Sequence, residues 1–215
     1  MHRLRLRQPR LAVYVATQTQ YGPTVKNTAQ NLIDEAKTLI ADVGYNGFSY
    51  ADLSVRLGIR KPSIHHHFPS KVDLVVTVIE QQRAMIRAQI EGLGGENADA
   101  MAQLNMYVDY WKRCITDQSA SFCAAGVLAA EMPALPAEVA KAVRGHFGDL
   151  GDWLKRVMTL GVAQGTMKLE LDPDRSSQFF QTAIYGAMVM ARAFNDPAKF
   201  TLVADAFLDR IQARS

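Results

Sequence analysis

Cysteine is scarce in this chain: two residues of 215, Cys114 and Cys123. Two are too few for a disulfide-built scaffold, so the fold must hold by packing, as reduced cytoplasmic proteins do, and a secreted mini-protein is excluded. No apolar run approaches the roughly 20 residues that span a bilayer. The longest, Phe122 to Ala130 and Ala183 to Ala191, have the length of helix segments, which excludes an integral membrane protein. Leu11 to Ala16 is too short for the apolar core of a signal peptide and is followed by Gln and Thr, so export is not expected. Strand-like alternation is nearly absent, as are internal repeats and low-complexity tracts. Metalloprotease, phosphate-loop and dinucleotide signatures are missing, so the chain offers no cofactor or metal motif and little ground for an enzyme.

What is present is an uneven charge distribution. The net charge is only +3, yet residues 1–23 carry Arg3, Arg5, Arg7 and Arg10 and no acid. Gly22-Pro23 then breaks regular structure. This segment reads either as an arm that contacts DNA or as an over-extended start. A second basic island, with Arg56, Arg60, Lys61, Lys71 and three consecutive histidines but no carboxylate, lies between Leu53 and Val72. The segment from 92 to 215 is mildly acidic, with 12 basic and 14 acidic residues. A basic front and an acidic back imply two jobs.

Apolar residues recur at spacings of three and four, which predicts an all-α chain of about nine helices. Ala29, Leu32, Ile33, Ala36, Ile40 and Val43 form the stripe of a first helix, closed by Gly44 as a left-handed cap. Ser49 with Asp52 makes a capping box for a short second helix carrying Leu53 and Leu57, which Gly58 stops. Pro62 suits the first turn of a third helix reaching about His67, since no backbone donor is needed there. Ser70 and Asp73 repeat the capping pattern and open a long helix that fades into Gly92-Leu93-Gly94-Gly95. Further helices are expected at about 98–118, 121–131, 136–160, 174–193 and 197–212, separated by proline and glycine.

The stretch from Ser49 to Lys71 has helix-turn-helix geometry. Ser54 is small where two helices must approach, Gly58 permits the turn, and Leu53, Leu57, Ile59 and Ile64 clamp the pair onto the first helix. The second helix of the pair is short enough to place its N-terminal end in a major groove about 12 Å wide. Candidate DNA contacts are Ser49, Tyr50, Arg60, Lys61, Ser63, His65 and His66, with Lys71 at the next helix start as a phosphate contact. The three histidines invite a metal reading, but consecutive helical residues diverge by about 100°, so one ion cannot collect them all. Gly47-Phe48-Ser49-Tyr50-Ala51 approximates a nucleophile elbow, but it ends in Ala and no strand precedes it.

The run Gly58-Ile59-Arg60-Lys61-Pro62-Ser63-Ile64-His65-His66-His67-Phe68-Pro69-Ser70-Lys71 resembles the signature of the tetracycline-repressor (TetR) family of regulators. The resemblance extends from about Val25 to Leu93, including Gly44-Tyr45-Asn46-Gly47-Phe48, and the remainder agrees in architecture. His65 stands where such proteins usually carry a Tyr that contacts the phosphate backbone, and Pro62 replaces a small residue. The resemblance implies a cytoplasmic homodimeric repressor that binds a palindromic double-stranded DNA operator and is released by a small-molecule effector. It divides the chain into a basic arm at 1–23, a helix-turn-helix DNA-binding domain at 24–71, and a helical effector-binding and dimerisation domain at 72–215.

Within the back half, the segment from Cys114 to Gly126, followed by Leu128 to Glu131, resembles more faintly the electrophile-sensing N-ethylmaleimide-reductase repressor subgroup. On the residues alone, Cys114 and Cys123 are either sensors, with Lys112 and Arg113 near Cys114, or buried small hydrophobes. Effector contacts are expected among Tyr107, Tyr110, Trp111, Cys114, Phe122, Cys123 and Trp153, because pockets in bundles are apolar with a few polar groups. The last two predicted helices carry more apolar surface than one core face needs. Phe180, Ala183, Ile184 and Ala187 on one, and Val203 and Phe207 on the other, are the expected dimer contacts, a wider intrachain core being the alternative. A helical module that docks to protein instead of DNA is the rival reading of the front half.

Overall fold

A computed structural model describes residues 28–93, 99–118 and 122–213. The basic segment 1–23 lies outside them. The described residues form nine α-helices: α1 Thr28–Val43, α2 Tyr50–Leu57, α3 Lys61–His67, α4 Lys71–Leu93, α5 Ala100–Thr116, α6 Ala124–Ala130, α7 Ala137–Ala163, α8 Pro173–Phe194 and α9 Ala198–Ile211. A single 3-10 turn, Met132–Ala134, joins α6 to α7. The all-α class is thus the observed one.

Local chemistry explains where the front helices start and stop. α1 buries Leu32, Ile33, Ala36, Leu39 and Ile40 on one face, and Gly44 follows in the left-handed region at φ +77°. Ser49 and Asp52 close a reciprocal capping box on α2, in which Asp52 accepts from the Ser49 N–H at 2.7 Å. Gly58, at φ +63°, donates to the carbonyls of Ser54 and Val55 and turns the chain toward α3. The Ser54 hydroxyl bonds the Ile59 carbonyl at 2.6 Å, so a small polar residue both permits the close approach and satisfies the turn. Ser70 and Asp73 repeat the box at the start of α4.

α4 is the long spine that joins front to back, packing on α1 at one end and on α7 farther along. α7 also carries α5, α6 and α8, while α8 pairs with α9. α7 runs past the expected stop at about residue 160 to Ala163. The reason is packing: a Cβ on Gly161 would lie 2.4 Å from the Met167 sulfur, so this glycine serves close approach. The chain turns at Gly165 instead, at φ +69°. An isolated antiparallel bridge between Met167 and Gln212 ties that turn to the end of α9.

Candidate functional site

α3 is seven residues long and buries only Ile64, which anchors it to the core. Lys61, Pro62, His65, His66 and His67 on it are exposed, as is Arg60 at its N-cap, while Ser63 is half-buried. Arg60 and Lys61 pair with no carboxylate among the described residues. Arg56, the other arginine of the basic island, is taken by Glu35 at 2.7 Å. His65 directs Nδ1 to the Pro69 carbonyl at 3.1 Å and stands edge-on to Tyr50, with ring centroids 4.9 Å apart. The result is an exposed helix start at which two cations with no carboxylate partner among the described residues are presented, suited to a phosphate backbone and a groove.

Besides His65, three more of the residues expected to contact DNA are engaged within the head. The Tyr50 hydroxyl donates to the Phe68 carbonyl at 2.9 Å and is half-buried. Burial, with the Asp73 charge nearby, pushes its phenol up to about 12. Its work is to tie α2 to the end of α3. Ser49 uses its hydroxyl on Asp52 and on the Ala51 N–H at 3.1 Å, which is capping. Lys71 turns inward: its ammonium donates to the carbonyls of Tyr45 and Phe48 and sits over both rings, at 4.5 and 4.2 Å from their centroids. Burial lowers its pKa. A phosphate contact would require breaking that arrangement, and in this structure Lys71 acts as a brace.

In the back half, a polar cluster lies inside the apolar core. Cys123, 1% exposed at the N-cap of α6, receives hydrogen bonds at sulfur from Gln82 Nε2 at 3.4 Å and from the Tyr185 hydroxyl at 3.5 Å. His146 Nε2 is 3.8 Å from the same sulfur and 3.1 Å from the Tyr185 oxygen. Burial pushes the Cys123 thiol up, but hydrogen bonding and charge from His146, with Tyr185 helping, outweigh it and bring the pKa from 9.0 to about 7. Burial raises the Tyr185 and Tyr107 phenols. Tyr107 packs on Trp153 with centroids 5.5 Å apart. Gln82 Oε1, His146 Nδ1 and Trp153 Nε1 are buried with no hydrogen-bond partner among the described residues. Buried polar atoms without a protein partner are few in native cores.

Of the residues expected to meet an effector, Cys123, Tyr107 and Trp153 thus border one region. Trp111 and Cys114 are buried on α5, Tyr110 is half-buried with its ring 5.2 Å from Trp111, and Phe122 lies 5.7 Å from the Arg192 guanidinium. Gln82, His146 and Tyr185 were not expected. The signal for His146 was available: it interrupts the apolar stripe Val139, Val143, Leu150, Trp153, Val157 of α7.

Most of the residues expected at a dimer interface are covered within the single chain. Phe180, Ile184 and Ala187 are 0–2% exposed, spent on the chain's own core. Ala183 and Phe207 are half-buried, and Phe207 closes on Phe180 at 4.9 Å. Only Val203, 37% exposed, stays on the surface. The face left uncovered lies one residue around: Phe179, Gly186, Val189, Met190 and Phe194 on α8, with Leu202 and Val203 on α9. α8 is thus apolar on two sides, only one of which the chain's own core covers.

A helix-turn-helix head with an exposed basic recognition helix, on a helical body with a buried polar cluster, defines a DNA-binding transcriptional regulator. Comparison with known proteins places it more closely. Residues 32–78 match the family of bacterial regulatory proteins, tetR family, and residues 100–207 match the tetracyclin repressor-like C-terminal domain. A TetR-family transcriptional regulator from Agrobacterium tumefaciens is 43% identical, with a TM-score of 0.82 over 86% of this chain and 97% of that one. The chain belongs to the TetR family. The Tn10 TetC protein of Escherichia coli is 34% identical over 65 residues, 30% of this chain and 33% of TetC, so that match spans a third of TetC's length. Escherichia coli NemR, in its reduced form, shares the fold at 17% identity, with a TM-score of 0.73 over 87% of this chain and 99% of that one. No described helix is long and apolar enough to cross a membrane.

Proposed function

We propose that this regulator is a repressor that binds a palindromic operator as a homodimer in the cytoplasm and lets go when a small molecule enters its body. Residues 24–71 would be the reading head, with the arm at 1–23 beside it, and residues 72–215 the effector-binding and dimerisation domain. The observation that carries the DNA reading is the exposed start of α3, where Arg60 and Lys61 have no carboxylate partner among the described residues while Ser49, Tyr50 and Lys71 are spent on holding the head's shape. The apolar face of α8 and α9 supports a two-fold dimer, and two-fold symmetry in the protein calls for it in the DNA. The orphaned polar atoms between Gln82 and Trp153 support an effector seated against Cys123, His146, Tyr185, Tyr107 and Trp153. Among the described residues no carboxylate or ammonium group makes a hydrogen bond to that cluster, which favours an uncharged ligand with both donor and acceptor groups.

The test is selection of fragmented host genomic DNA by the purified protein at about physiological salt, where non-specific binding is weak. A few sharply enriched palindromic fragments are expected. Retention that merely follows fragment length, or a partner captured with no steep salt dependence, would favour a head that docks to protein.

A further inference from the structure

We infer that Glu131 and Arg192 are the residues through which the effector-binding body fixes the orientation of the DNA-reading head. The inference rests on the effector-release reading above and adds the contacts that would carry it. The turn between α1 and α2 is held by the body at two adjacent points. The Tyr45 N–H donates to Glu131 Oε2 at 2.8 Å. The approach is so close that a Cβ on Gly44 would fall 1.8 Å from the other carboxylate oxygen. One turn earlier, Arg192 donates from its two terminal nitrogens to the carbonyls of Ala41 and Asp42, at 2.6 and 3.1 Å. These are among the last carbonyls of α1, which have no partner within their own helix, and the guanidinium also answers the negative end of the helix dipole. Both contacts join a charged side chain to backbone, so they are directional.

The same two helices supply two members of the polar cluster, Cys123 and Tyr185. α6 has Cys123 at its N-cap and Glu131 at its C-cap. On α8, Tyr185 and Arg192 are seven residues apart, so they share a face about 10 Å apart along the axis. The helices are wedged together beside the cluster: a Cβ on Gly126 of α6 would meet the Phe122 ring at 2.7 Å and the Tyr185 ring at 3.0 Å. The Phe122 ring in turn lies 5.7 Å from the Arg192 guanidinium. A displacement of Tyr185 or Cys123 therefore reaches Tyr45 and the end of α1 through two short rods that end on the head. The rival route is α4, which is continuous between the two parts.

Hydrogen exchange on the full chain separates the routes without an effector. Glu131→Ala and Arg192→Ala are each expected to speed exchange over residues 41–48 by at least about tenfold, through the loss of one charge-assisted hydrogen bond in the first and two in the second. Tyr185→Phe, which removes a hydroxyl from the cluster, should speed the same segment a few-fold in the native chain and add nothing in the Glu131→Ala/Arg192→Ala double variant. If Glu131→Ala does not fold, Glu131→Gln serves in its place. Unchanged exchange over 41–48 in the folded single variants, or an equal effect of Tyr185→Phe in both backgrounds, would overturn the inference in favour of α4. Its failure is distinct from failure of the DNA reading: a native chain that enriches palindromes beside exchange that ignores Glu131 and Arg192 sinks only the coupling route.

Discussion

Lys71 points its ammonium at the Tyr45 carbonyl, into the turn that precedes α2. It also donates to Phe48 and lies against both rings, so one side chain fastens the start of α4 to the head. Lys71→Ala leaves two carbonyls of that turn without this donor and removes the cation from both rings. The expected cost is about 2 kcal/mol, typical for hydrogen bonds to a charged group. Denaturant unfolding measures it, and an unmoved midpoint would contradict the bracing role.

Lys61 should behave in the opposite way. It is exposed and unpaired with any carboxylate among the described residues, so Lys61→Ala should leave the unfolding midpoint in place. Operator affinity should fall broadly across sequences, and the slope of log affinity against log salt should shrink by about 0.9, the counterions of one phosphate. In Lys71→Ala, by contrast, the slope should stay as in the native chain. Equal slopes for Lys61→Ala and native protein would take Lys61 off the backbone.

The contrast between these lysines shows how far the sequence could be read. Element type and most boundaries followed from local chemistry, because capping boxes at Ser49 and Ser70 and glycines at 44 and 58 act within a few residues. The exposed end of α3 was legible for the same reason. Direction was not: whether Lys71 faces out or in depends on Tyr45 and Phe48, more than 20 residues away. The polar cluster was hidden likewise, since Gln82, Cys123, His146 and Tyr185 come from four elements. At α8, periodicity found an apolar helix with two usable faces, and only packing against α7 and α9 chose between them.

That choice fixes a prediction about assembly. Met190, 46% exposed, lies on the uncovered face, whereas Ala187, 2% exposed, lies in the core. Met190→Asp should therefore leave a folded chain that sediments as a monomer, with operator affinity lower by at least about a hundredfold through loss of bivalent binding. Ala187→Asp should instead unfold the body, because a buried unpaired carboxylate has nothing to offset its desolvation. A Met190→Asp protein that remains dimeric would move the interface off α8.

The Cys123 thiol supplies the pH test. Its folded pKa, about 7, lies below the ordinary 9.0 because His146 and Tyr185 favour the thiolate more than burial opposes it. Between these values the unfolded chain holds a proton that the folded chain has released. The contribution of Cys123 to stability therefore grows as pH rises through this window, is complete above about 9, and is lost as pH falls through about 7. Thiolate absorbance in the folded protein, with Cys114→Ser removing the other thiol, should titrate with a midpoint near 7. His146→Leu removes the strongest influence favouring the thiolate and should move that midpoint upward by at least about one unit, leaving burial to dominate. The native chain should also gain stability relative to Cys123→Ala between about pH 6 and pH 9, and that gain should shrink in the His146→Leu background. A midpoint at the ordinary value, or a pH-independent difference between native and Cys123→Ala, would mean the sulfur is held as a neutral thiol and His146 serves only to fill the space beside it.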